Sequence, residues 1–195
     1  SNVLTFTSLN DMNVNNGGTA YLGDQTTINA GDDLTIGSTG RLAYFLTTNE
    51  SQHGVVNAAD DANLDGTLHA VLDPIDFVTA TTDTFLYQDI ITTGAAGING
   101  TTFDNVTTST LFFTGTAIYG TTYVDLQLDR VDFGDVLGSL GLIQTVNQQA
   151  IGNALEEIFT TSGPFSSQFD DLFAALFSTT DPDEILAIYD EIKAT

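Results

Sequence analysis

Apolar and polar residues alternate through most of the first 130 positions, in short runs broken by turn signals. Over 122–128, Val124, Leu126 and Leu128 fall on one side, and Tyr123, Asp125 and Gln127 on the other. Corners such as Asn16-Gly17-Gly18, Asp65-Gly66 and Asn99-Gly100 separate the runs. The pattern predicts strands near 3–7, 19–22, 25–29, 33–36, 41–47, 54–57, 63–72, 77–80, 84–92, 110–116 and 121–128. Beyond residue 140 the period changes to 3.6. Val146, Ala150, Ile151, Ala154, Leu155, Ile158 and Phe159 then share one helical face. Pro164 suits the first turn of a second helix, whose apolar stripe is Phe165, Phe169, Leu172, Phe173, Leu176 and Phe177. Asp181-Pro182-Asp183-Glu184 predicts the capped start of a third, continued by Ile185, Ile188, Tyr189 and Ile192.

Many short strands suit a sandwich, a barrel or a solenoid. Leu4, Leu22, Leu42 and Leu64 recur about every twenty residues, near the length of one turn of a parallel β-helix. Segment 81–135 has longer strands and fits a cap of antiparallel pairs. Abundant Thr before residue 135 agrees with strands, because a branched Cβ restricts χ1.

Charge narrows the function. The 195 residues hold 26 Asp+Glu and 3 Lys+Arg, a formal net of −23. Hydrophobic residues make up 42%, too many for a disordered acidic tail. Arg41, Arg130 and Lys193 cannot neutralise a phosphate backbone, which excludes nucleic acid as a partner. With no Cys, disulfides, thiolate metal sites and cysteine catalysis are excluded. No apolar run approaches the roughly 18 residues of a spanning helix.

Candidate chemistry is sparse. Asp61, Asn63 and Asp65, followed by Gly66, match the opening of a calcium loop, but its twelfth position is Leu72 instead of a bidentate Glu. No cofactor is expected, and calcium is the one weak candidate. His53 and His69 lack a nucleophile motif, so no catalytic residue is assigned. Tyr44, Tyr87 and Tyr119 are the residues a carbohydrate-binding module would use, and the abundant Asp leaves a glycan hydrolase as a more remote alternative. Arg130, flanked by Asp129 and Asp132, is the one cation in a recognisable setting, and is expected to lock the last strand to the helices that follow.

The ordered series of segments resembles a known family. The stretch from Leu64 through Thr67 to Asp73-Pro74 is similar to a strand pair near the end of bacterial autotransporter passengers. Phe85 to Thr93, followed by Gly100-Thr101-Thr102-Phe103-Asp104, is similar to the family's next step. Tyr123 to Phe133 resembles its last strand, and Asn147 to Leu155 the helix start after it. Phe169 to Ile192 resembles the helical segment before the outer-membrane barrel. The resemblance implies a mainly β fold: right-handed parallel β-helix (solenoid) coils with a β-rich C-terminal cap, then short α-helices. It implies a solenoid over 1–135, with an autochaperone-like part at about 75–135, and a helical linker over 136–195. The expected role is non-catalytic: capping and templating the β-helix during type V secretion, within an adhesin-like protein at the bacterial cell surface. The expected partners are an upstream β-helix and a downstream outer-membrane barrel, both outside this chain, and a host or matrix glycan or protein. Val124, Leu126, Leu128, Arg130 and Phe133 would form the structural cap, and the Phe165–Phe177 stripe the helical packing face.

Overall fold

A computed structural model describes residues 4–80, 82–161 and 169–193. Its strands are β1 (Leu4–Thr7), β2 (Met12–Val14), β3 (Thr19–Leu22), β4 (Thr26–Ala30), β5 (Leu34–Ile36), β6 (Arg41–Leu46) and β7 (Val55–Ala58). They continue as β8 (Asp61–Leu64), β9 (Thr67–Leu72), β10 (Thr84–Thr92), β11 (Gly97–Ile98), β12 (Asn105–Thr108), β13 (Phe113–Tyr119) and β14 (Tyr123–Arg130). The helices are α1 (Pro74–Val78), α2 (Val136–Ser139), α3 (Val146–Thr161), α4 (Asp170–Ser178) and α5 (Pro182–Lys193).

Each strand up to β9 pairs with the third strand after it, which yields three sheets: β1-β4-β7-β10-β14-β13, β11-β8-β5-β2 and β12-β9-β6-β3. The chain thus rises in tiers of three strands, β1–β3 being the first. Within each strand the buried side is set by alternation: in β9, Leu68, Ala70 and Leu72 are buried while Thr67, His69 and Val71 are less so. Across tiers the register stacks like on like. Val14 lies opposite Ile36, and Ile36 opposite Leu64. Polar rows stack too. The Asn57 amide donates to Asn29 Oδ1 at 2.9 Å, and the Thr92 hydroxyl to Asn57 Oδ1 at 2.6 Å.

The expected mainly β, right-handed parallel β-helix with a separate cap is corrected. The protein is mixed α/β, with 38% strand and 24% helix, and its three sheets (one mixed, two parallel) do not form a regular solenoid. Three features account for this. The repeat is uneven: Thr19 faces Arg41 and Arg41 faces Thr67, but Thr67 faces Asn105 much further along. The segment predicted as a strand at 77–80 belongs partly to helix α1, which buries Phe77. And β13 and β14 join the first sheet beyond β10 instead of forming a body of their own.

Other differences are local. Segment 63–72 is two strands, β8 and β9, because Gly66 turns the chain at φ +60°. A Cβ there would collide with the Gly37 and Gly40 carbonyl oxygens. Strands β2, β11 and β12, too short or too polar to show alternation, were not predicted. Asp125 is buried where alternation places it outside, because its carboxylate accepts the Asp89 N–H at 2.7 Å and Asp89 itself holds a left-handed φ of 56°.

Contacts divide the chain into two units that interleave in sequence. The first comprises 1–73, 84–108 and 115–128, the second 74–83, 109–114 and 129–195. The expected 135/136 boundary falls inside the second. In that unit α3 packs on α5, and α1 on α4. The predicted face of α3 holds in part: Leu155 is buried and Ile151, Ile158 and Phe159 are half-buried, but Val146, Ala150 and Ala154 are exposed, and Gln148 and Gly152 are buried beside them. Two facts set this shift. Gly152 lets the helix lie against the Phe133 carbonyl, and Thr145 and Gln148 form a capping box in which Thr145 N–H donates to Gln148 Oε1 and Gln148 N–H to Thr145 Oγ1. Helix α5 starts as predicted: Asp181 Oδ1 accepts the Asp183 N–H at 3.0 Å, and Pro182 is its first residue.

Candidate functional site

The most highly organised polar site lies in the second unit, around Arg130 at the end of β14. Its guanidinium is held on two sides. Nη1 and Nη2 donate to the two Glu156 carboxylate oxygens at 2.9 and 2.6 Å, and Nε donates to Asp83 at 2.7 Å. Asp132 lies 3.8 Å from Nη2. The Phe159 ring lies beneath the guanidinium carbon at 4.8 Å, a cation–π geometry. The Arg130 side chain is 2% exposed, so the charge is nearly dehydrated. Burial works against the charge, but the hydrogen bonds and charges of Glu156 and Asp83 together outweigh it and raise the Arg130 pKa.

Glu156 extends the site by accepting the Phe133 N–H at 3.1 Å. On the other side of that residue, Tyr189 of α5 donates its hydroxyl proton to the Phe133 carbonyl at 2.5 Å. Burial, followed by the Glu156 charge, pushes this tyrosine far above its ordinary pKa, so the hydroxyl stays a donor. One residue on the segment after β14 is therefore tied to α3 and α5. The Arg130 donors, the Glu156 carboxylate and the Tyr189 hydroxyl all have hydrogen-bond partners within the protein.

An aromatic cluster surrounds this polar core. Phe133 contacts Phe112, Phe159, Phe173 and Phe177 at centroid distances of 5.0 to 5.6 Å. Of the stripe predicted on the second helix, Phe173, Leu176 and Phe177 are buried, and Phe169 and Leu172 half-buried; Phe165 lies outside the described residues. Val124, Leu126, Leu128 and Phe133 are fully buried. The sequence singles out Arg130 between Asp129 and Asp132 but does not assign its carboxylate partners. The partners it missed, Asp83 and Glu156, are distant in sequence. The one available signal was a Glu bordering the apolar stripe of α3.

The calcium candidate is not brought together as a cage. Asn63 and Asn99 both donate amide hydrogens to Asp61, at 3.3 and 2.6 Å, which occupies the oxygens a cation would need, and Asp65 is exposed. Asp32, Asp33 and Asp60 gather nearby on the surface, an arrangement common without any ion. The carbohydrate reading loses two of its three tyrosines. Tyr44 and Tyr87 are completely buried, and their hydroxyls donate to the Ile90 and Thr47 carbonyls at 2.8 and 2.6 Å. Tyr119 is half-buried and accepts the Phe103 N–H. His53 contacts the Gly54 carbonyl and lies edge-on to the Tyr87 ring, and His69 contacts the Thr107 hydroxyl on β12. A hollow of about 480 Å³ beside His53 contains one carboxylate, Glu50, which already accepts the Leu86 N–H at 2.6 Å. Among the described residues, no helix is long and apolar enough to cross a membrane.

Asp132 supplies a pH prediction. Burial, then the Glu156 charge, raises its pKa above the ordinary carboxyl value, with Arg130 opposing. A carboxyl raised on folding stabilises the protein below its unfolded pKa and loses that contribution as pH rises through the folded one. Asp132→Asn is therefore expected to melt above the native protein at pH 7 and to converge with it near about pH 4. Thermal melts across pH 4–8 check this; parallel curves for the two proteins would refute it.

No protein-family model matches the chain, no curated protein matches it, and no solved structure matches its fold.

Proposed function

We propose that the chain is a non-catalytic structural segment that terminates a stack of parallel strands and templates the folding of further strands. Its setting would be a secreted bacterial surface protein of the autotransporter kind. One observation carries the reading. Phe6, Ile28, Val56 and Ile91 form a single row in register across four tiers. The row is completely buried at Val56 and Ile91, half-buried at Ile28, and 54% exposed at Phe6. The apolar row thus runs out to an uncovered tier, where Leu4 and Leu9 are exposed as well. Another tier of strands would bury it at a gain of about 25 cal/mol per Å² of apolar surface. At the other end, β14 and β13 follow β10 in the first sheet. The Arg130 site then anchors the chain after β14 within its own unit.

On this reading the partners are upstream strands of the same polypeptide and a downstream outer-membrane barrel, and the location is the cell surface. Folding of this segment would come first, and stacking on β1–β3 would hinder return of the secreted chain. The sparse cations and net charge of −23 suit solubility outside the cell.

The test uses the full parent protein, displayed on cells. Deleting 75–135, or replacing Phe6 with Asp, is expected to leave an inserted barrel with an upstream chain that is protease-sensitive. Undiminished display and protease resistance in both variants would overturn the proposal.

A further inference from the structure

The third sheet presents an aromatic pair on its outer side. Tyr21 of β3 is 61% exposed and Phe45 of β6 46% exposed; their ring centroids are 6.0 Å apart with planes inclined by 36°. Alternation alone would place polar residues at both positions. Beside Phe45 lies a hollow of about 310 Å³, lined also by Asp24, Thr47, Val71 and Asp73. Its volume falls at the small end of ligand sites. All of these residues belong to the first unit.

The lining combines two chemistries in one place. Rings lying open to solvent offer flat apolar faces, which match the C–H faces of a pyranose. Carboxylates at the edge of the hollow accept hydrogen bonds, and hydroxyl groups donate them. A ligand that stacks on one side and donates from many hydroxyls on the other is a sugar. Its charge follows from the same residues. The hollow holds two carboxylates and no cation, in a chain of net −23, so a uronate or other acidic sugar would be repelled. We propose that this hollow, with the Tyr21–Phe45 pair as its platform, is a binding subsite for an uncharged sugar. The inference is independent of the role in secretion and uses none of the buried tyrosines.

The probes are a β-1,4-linked glucose tetrasaccharide and an N-acetylglucosamine tetrasaccharide, with tetragalacturonate as the acidic counterpart. Binding to the full chain is followed by calorimetry and by amide chemical-shift changes. At least one neutral probe is expected to bind and to shift residues on β3 and β6, while tetragalacturonate binds at least tenfold more weakly. Phe45→Ala and Tyr21→Ala are each expected to weaken binding about tenfold with an unchanged melting temperature, and Phe45→Trp to retain it. Asp24→Ala is expected to weaken it several-fold. Failure of both neutral probes to bind at millimolar concentration would overturn the proposal. So would equal binding of the acidic probe, or binding that survives both aromatic substitutions.

Discussion

Replacing Arg130 with Ala is expected to lower the unfolding free energy by about 3–5 kcal/mol, the range for breaking a buried ion pair. The loss divides unevenly between its partners. The Asp83 carboxylate is 64% exposed and regains water when the guanidinium leaves, so that pair contributes little. Glu156 is 19% exposed and lies where Arg130 stacks on Phe159; it would be left as a half-buried anion without its counter-charge. That uncompensated charge is the main cost. Two further variants separate this account from a general loss of packing. Arg130→Lys keeps the charge but cannot bridge both Glu156 oxygens, and is expected to recover only part of the loss. Arg130→Met combined with Glu156→Leu removes both charges at similar volume and is expected to recover most of it. Urea unfolding of the four proteins measures this. A loss under about 1 kcal/mol for Arg130→Ala would show that the site is no more than a surface ion pair.

The same site shows where reading the sequence succeeds and where it stops. Alternation located most strands, because a half-buried strand must repeat every two residues whatever it pairs with. It could not assign partners. Register depends on how many residues the chain spends between tiers, and the β9–β12 interval contains α1, a helix too short to announce itself by period. Leu4, Leu22, Leu42 and Leu64 suggested a regular repeat, yet Leu4 faces Thr26 and Leu22 faces Tyr44. The recurrence was partly accidental. Helix positions were legible from their stripes and caps, but only part of the α3 face was, since Gly152 and Gln148, residues that a hydrophobic pattern ignores, are buried beside Leu155. Arg130 stood out because cations are so rare here. Its partner Glu156 did not, because carboxylates are so common. Of the Tyr21–Phe45 pair, Phe45 is legible as an apolar residue opposite the face of Leu42, Tyr44 and Leu46, but its pairing with Tyr21 is not, because it depends on the register of β3 on β6.

Phe133→Ala is the second substitution with a large expected effect, about 3–5 kcal/mol. The ring is completely buried among Phe112, Phe159, Phe173 and Phe177, which come from three separate stretches of chain. Such a site cannot collapse around a smaller side chain, because closing the gap would require α3 and α4 to move together. The backbone of residue 133 resists relaxation too, held by Glu156 at its N–H and by Tyr189 at its carbonyl. Phe133→Leu fills much of the volume and is expected to cost markedly less than Ala. Arg130 lies 5.7 Å from the Phe133 ring, so the two sites share one packed environment and their effects should not add. A double-mutant cycle of Arg130→Ala with Phe133→Ala is expected to show a coupling of about 0.5–3 kcal/mol. The chain has no Trp, so near-ultraviolet circular dichroism comes from Phe and Tyr alone, and loss of the phenylalanine fine structure should accompany the destabilisation. A Phe133→Ala protein with native stability and an unaltered aromatic spectrum would mean that the cluster is not packed in solution. Strict additivity with Arg130→Ala would mean that the ion pair and the cluster act as separate devices rather than one anchor.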